Sequence, residues 1–113
     1  MKNADAVEAL AALAQDTRLA IYRLLVQAGG AGMSVGSIGD KLQLPGATLS
    51  FHLKELAHAS LIEPRHQGRF IYYSANYECM NRLLGYLTEN CCQGQACDAV
   101  SCEPAPQRLR KRA

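Results

Sequence analysis

Long apolar runs are missing from this chain. Its uninterrupted hydrophobic stretches last only a few residues, far short of the roughly 20 that cross a bilayer as a helix. The opening residues, Met1-Lys2-Asn3-Ala4-Asp5, hold no apolar core of the kind a secretory signal needs. A cytoplasmic protein with no membrane partner is therefore expected. Histidine is scarce, with His52, His58 and His66 the complete set. Nothing pairs a nucleophile with a base and an orienting carboxylate, so an enzyme is not expected. The even, dispersed cysteine pattern of a secreted disulfide framework is also missing. The five cysteines are Cys79, Cys91, Cys92, Cys97 and Cys102, and four of them crowd into residues 91–102. Reduced thiols available for metal or redox chemistry fit that arrangement better than cross-links.

What is present fits one small domain. The 113 residues are 49% hydrophobic and 19% charged, the balance of an ordinary globular chain with a modest core. The net charge is +2, yet Arg108, Arg110, Lys111 and Arg112 supply four positive charges at the extreme C-terminus, so residues 1–107 carry −2. The body of the chain is not a general polyanion binder.

Helical spacing of Ala6, Val7, Leu10, Leu13 and Ala14 predicts a first helix over about 5–14. Asp16 or Thr17 is a suitable N-cap for a second, with Leu19, Ile21, Leu24, Leu25 and Val26 inward and Gly29-Gly30 as its stop. After a loop to Met33, Ser34 caps a short helix carrying Ile38 and Leu42. Leu44-Pro45-Gly46 then turns the chain into a longer helix over 47–58. Two helices joined this closely read as a helix-turn-helix. Leu61-Ile62-Glu63 and Phe70-Ile71-Tyr72-Tyr73 read as two strands joined through Arg65-His66-Gln67-Gly68-Arg69, a hairpin wing. Asn76 caps a last helix to about Glu89, with Met80, Leu83, Leu84 and Leu87 at i, i+3, i+4 and i+7. The expected architecture is mainly α with a small β-hairpin wing, in the order α-α-α-α-β-β-α. Residues 1–90 form the domain, and 91–113 a cysteine-rich, basic tail.

In the 47–58 helix, Leu49, Leu53 and Leu56 form the inward stripe. Ala47, Ser50, Phe51, Lys54 and His58 are left on the opposite face. Small, hydroxyl, aromatic and basic side chains together suit a major groove. Ser50 can bond base edges, Ala47 and Phe51 can pack on thymine methyls, and Lys54 can hold a phosphate or guanine. An ordinary solvated face would have no use for Phe51. The expected contact set on double-stranded DNA is Ala47, Thr48, Ser50, Phe51 and Lys54, with Arg65 and Arg69 reaching the backbone or minor groove from the hairpin.

Three segments carry a family resemblance. They are Asp16-Thr17-Arg18-Leu19-Ala20-Ile21, Leu44-Pro45-Gly46-Ala47-Thr48-Leu49-Ser50-Phe51-His52-Leu53-Lys54-Glu55-Leu56, and Gly68-Arg69-Phe70-Ile71-Tyr72-Tyr73. Through them residues 6–87 resemble the ArsR/SmtB family of metal-responsive winged-helix repressors. The resemblance implies a homodimer through the first and last helices, with two recognition helices in adjacent major grooves. The apolar stripes of both terminal helices fit that. Two departures matter. Gly46-Ala47 stands where many relatives carry Gln-Ser, removing polar base contacts. His52 matches a common family histidine, but its phase beside Leu49 and Leu53 suits packing or hydrogen bonding rather than base reading.

The sensor sites of many relatives are missing as well. Ser34-Val35-Gly36-Ser37-Ile38 has no Cys-Val-Cys motif, and residues 76–90 offer no Asp or His for zinc. What remains is Cys91-Cys92-x4-Cys97-x4-Cys102. Trivalent arsenic or antimony is satisfied by three sulfurs in a pyramid, so As(III) or Sb(III) as inducer is the leading expectation, with Cys102 the least certain ligand. Adjacent cysteines in a regular helix point about 100° apart, but Asn90 allows the backbone to bend there. Zinc or cadmium on all four thiolates is the first alternative, although paired Cys-x2-Cys knuckles are lacking. A thiol redox switch is the second. It is disfavoured because the pair follows a helix C-terminus with no Lys or Arg within eight residues on either side. Cys79, inside the last helix, suits packing.

Overall fold

Residues 1–94, described by a computed structural model, alternate paired helices with a small antiparallel sheet. The elements are α1 (Asn3–Leu13), α2 (Asp16–Ala28), β1 (Met33–Ser34), α3 (Val35–Leu42), α4 (Gly46–His58), β2 (Ile62–Gln67), β3 (Phe70–Ala75) and α5 (Tyr77–Leu87), followed by a 3₁₀ turn (Cys91–Gly94). No helix among the described residues is long and apolar enough to cross a membrane. Cys97, Cys102 and the basic run 108–112 lie outside the described residues.

The boundaries follow local chemistry. Ser34 caps α3, its Oγ accepting from Ser37 N at 3.2 Å, and Asn76 caps α5, its Oδ1 accepting from Cys79 N at 3.2 Å. The cap of α2 is Gln15 rather than Asp16 or Thr17. Its longer side chain turns back so that Oε1 accepts from Arg18 N at 2.9 Å. Asp16 then falls in the first turn, where a carboxylate meets the positive end of the helix dipole. Gly29 ends α2 at φ +85°, and Gln43 ends α3 in the left-handed region.

The sheet has one more strand than the sequence implies. β1 pairs antiparallel with β3, Met33 opposite Tyr73 and Ser34 opposite Tyr72, giving the order β1-β3-β2. Two residues are too short to show an alternating pattern, so the loop reading missed them. The hairpin itself is longer than expected, with register from Ile62↔Ala75 out to Gln67↔Phe70.

The core gathers Ile21 and Leu25 of α2, Ile38 of α3, Leu49, Leu53 and Leu56 of α4, and Leu61, Ile62 and Leu83. Burying each such side chain contributes about 1.5–3 kcal/mol. Polar ties orient the outer helices. Tyr77 of α5 donates its hydroxyl to Val26 O at 2.9 Å, and Tyr86 donates to Asn3 Oδ1 at 3.0 Å. Arg18 binds in two directions, Nε to Ala12 O at 2.7 Å and Nη1 to Nδ1 of buried His52 at 3.2 Å. Since guanidinium only donates, His52 Nδ1 accepts and the ring proton sits on Nε2.

Gly32 is required by a close approach. Its φ is +74°, and a Cβ there would stand 2.3 Å from the Tyr73 carbonyl oxygen. We expect Gly32→Ala to lose at least about 2 kcal/mol through backbone strain and the clash on β3, lowering the thermal midpoint by roughly 10 °C. Gly30→Ala, which meets nothing within 4 Å, should stay within about 0.5 kcal/mol of wild type. Equal midpoints for the two variants in a thermal melt would refute the account.

Candidate nucleic-acid interface

α4 stands against α2 and β2 with a clean division of faces. Leu49, His52, Leu53 and Leu56 are buried, while Ala47, Thr48, Ser50, Phe51 and Lys54 are all exposed. The division follows from the 3.6-residue period, which sends positions 49, 52, 53 and 56 to one side. Phe51 is 55% exposed, and its ring meets the neighbouring His52 edge-on, with centroids 5.2 Å apart at 64°. The buried His52 with its Arg18 partner fits the hydrogen-bonding role expected of it.

The hairpin projects from its buried root at Ile62 and Ala75 to an exposed end. The turn passes through Gly68 at φ +63°, a conformation free of Cβ strain only for glycine. Arg69 and Phe70 follow it, both exposed. Between this tip and α4 lies a groove of about 510 Å³, lined among others by Ser50, Leu53, Lys54, Arg69, Phe70 and Tyr73. Its charged lining residues, Lys54 and Arg69, are both cations. Thus Arg69 of the hairpin joins Ser50 and Lys54 of α4 in one place.

Arg65 does not share that groove. Its Nη2 donates to Ala31 O at 3.1 Å, and its guanidinium lies 5.3 Å from the Tyr72 ring centre. It fastens the wing to the loop before β1, an arrangement invisible in sequence because the partner is a carbonyl 34 residues away. Phe70 is the residue that sequence reasoning passed over. Lying in the run Phe70-Ile71-Tyr72-Tyr73, it read as strand, yet it is 61% exposed, the highest value of any large apolar side chain described. Its place directly after Gly68-Arg69 was the available signal.

At the far end of the molecule α5 stops at Leu87, and Thr88 Oγ1 donates to Leu84 O at 2.9 Å. The chain then turns through Asn90 at φ +58° and Cys92 at φ +56°. Cys91, half-buried, donates its backbone N–H to Thr88 O at 3.0 Å, and Cys92 is exposed. Among the described residues no three of His, Cys, Asp and Glu converge. Cys79 is half-buried in α5. Burial pushes its thiol up, against the opposing pull of Arg82. Neighbouring Tyr22 is pushed up to about 12, first by burial and then by Cys79 and Tyr77. Both belong to the packing of α5 on α2.

Known proteins share this layout. A family model described as a helix-turn-helix domain matches residues 13–65. The nodulation protein NolR of Rhizobium meliloti is 34% identical over 95 residues, which is 84% of this chain and 74% of that protein. The transcriptional repressor SdpR of Bacillus subtilis (strain 168) is 30% identical over 82 residues, 69% of this chain and 88% of its own length. Among solved structures, the ArsR-like transcriptional regulator from Rhodococcus sp. RHA1 superposes with a TM-score of 0.67 at 28% identity, covering 74% of this chain and 76% of that one. With its helix-turn-helix, wing and sequence similarity extending over most of its length, the chain belongs to the ArsR/SmtB family of winged helix-turn-helix transcriptional regulators.

Proposed function

We propose that this regulator is a homodimeric repressor that leaves its operator when trivalent arsenic or antimony binds the thiolates of Cys91, Cys92 and Cys97. One observation carries the reading. The Cys91-Cys92 pair follows the end of α5 by four residues, where Cys92 leaves the right-handed helical region at φ +56°, so the fixed divergence of adjacent side chains in a regular helix is not imposed there. Cys102 is the optional fourth sulfur. Three soft thiolates match a pyramidal trivalent ion, whereas a fourth would favour tetrahedral zinc or cadmium.

Dimerisation through α1 and α5 is supported by the apolar side chains these two neighbouring helices leave uncovered. Val7 is 56% exposed and Leu84 is 53% exposed, with Leu10 and Leu87 beside them in sequence phase. A two-fold dimer built there presents two α4 helices to adjacent major grooves. Ion binding just past α5 reorganises its last turn, and with it the spacing between the two reading helices. A coupling of about 1–3 kcal/mol per site is enough to reduce operator affinity several-fold to over a hundredfold.

Two outcomes follow for DNA binding. Footprinting is expected to show a near-palindrome with half-sites one helical turn, or a multiple, apart. Within it Lys54→Ala should lower the salt slope of binding by about one, and Ser50→Ala should relax base preference with the slope unchanged. A single asymmetric half-site, or unchanged binding by both variants, would move the reading face elsewhere.

The sensor is tested on the full chain under reducing conditions. Cys91→Ser, Cys92→Ser and Cys97→Ser should each keep wild-type operator affinity and lose the response to arsenite. Cys102→Ser should retain the response if three sulfurs bind the ion and lose it if four do. Normal release of all three single variants by arsenite would eliminate the site.

A further inference from the structure

The groove between α4 and the wing tip combines a cationic with an apolar lining. Its charged lining is purely cationic, Lys54 from α4 and Arg69 from the turn. Its apolar lining includes buried Leu53, half-buried Tyr73 and the exposed ring of Phe70. The cavity between α1 and α5 is a contrast, with Asp5, Glu8 and Glu78 among its lining and Arg82 as the opposing charge. An acidic ligand is therefore directed to the wing side. Phe70 itself has no packing role to explain it. The body of the hairpin ends at its buried root, and six paired positions carry the tip about 17–20 Å outward.

We propose that Phe70 is an uncharged, sequence-independent DNA contact, its ring packed flat on a deoxyribose of the strand whose phosphates Lys54 and Arg69 are expected to hold. This rests on α4 occupying the major groove. A hairpin that reaches from there to the flanking minor groove must straddle the strand separating the two. The deoxyribose is the apolar part of the backbone, so a phenyl ring beside two cations matches the repeat that a strand presents. Phe70 then contributes affinity without charge and without reading bases, since every nucleotide offers the same sugar.

The test compares wild type, Phe70→Ala, Phe70→Leu and Arg69→Ala in binding to the operator and to a random duplex across a salt series. Phe70→Ala should weaken both duplexes by the same factor, about tenfold, because the buried apolar area of a phenyl is lost. Its salt slope should equal that of wild type. Phe70→Leu should recover most of the affinity, and Arg69→Ala should lower the slope by about one. Thermal midpoints of the Phe70 variants should match wild type, because the side chain is exposed. Unchanged affinity of Phe70→Ala overturns the proposal. So does a loss confined to the operator, which would make Phe70 a base reader, or a change in dimer mass, which would make it a contact between copies. Wild-type protein that fails to bind either duplex would instead sink the α4 reading on which this one stands.

Discussion

Arg18 sits where α1 gives way to α2, and its guanidinium reaches both the Ala12 carbonyl and His52 Nδ1. Those two bonds connect the first helix to the middle of α4 through a single planar group. Hydrogen bonds from a charged donor are worth about 1.5–3 kcal/mol each, and a buried imidazole stripped of its partner leaves an unsatisfied acceptor. Lysine cannot replace the geometry, since one ammonium cannot span both acceptors in a fixed plane. His52 in turn braces the ring of Phe51 at its edge. The orientation of the exposed face of α4 therefore depends on a contact made wholly inside the protomer.

A second constraint acts on the wing. β3 is the middle strand, held on one side by β2 and on the other by the two residues of β1. Because β1 leads directly into α3, the sheet and the helix-turn-helix are joined by hydrogen bonds as well as by the apolar core. Arg65 adds a stitch from β2 to the loop at Ala31. The tip beyond it, from His66 to Phe70, is exposed.

The helices were legible because each carries its own period. Leu49, Leu53 and Leu56 identified the inward face of α4 before any tertiary contact was known, and Ser34 and Asn76 announced their caps. What escaped depended on partners distant in sequence. Gln15 displaced better-known capping residues because its amide reaches three residues on. The bond of Arg65 to a carbonyl 34 residues away is announced by no local pattern. The exposed ring of Phe70 was hidden inside a run of strand-forming residues. The stripe of α5 was read as one surface but serves two, with Leu83 turned to the core and Leu84 and Leu87 turned away.

No residue from 88 to 94 belongs to the core, whose last fully buried member is Leu83. Among the described residues the Cys91-Cys92 pair thus stands after the last buried side chain of the core. If those thiols are the sensor proposed above, effector chemistry and the exposed face of α4 are carried by separate stretches of the same chain. In that case a lineage could acquire a new inducer by rewriting a few codons past the last helix while every promoter it governs stays as it was.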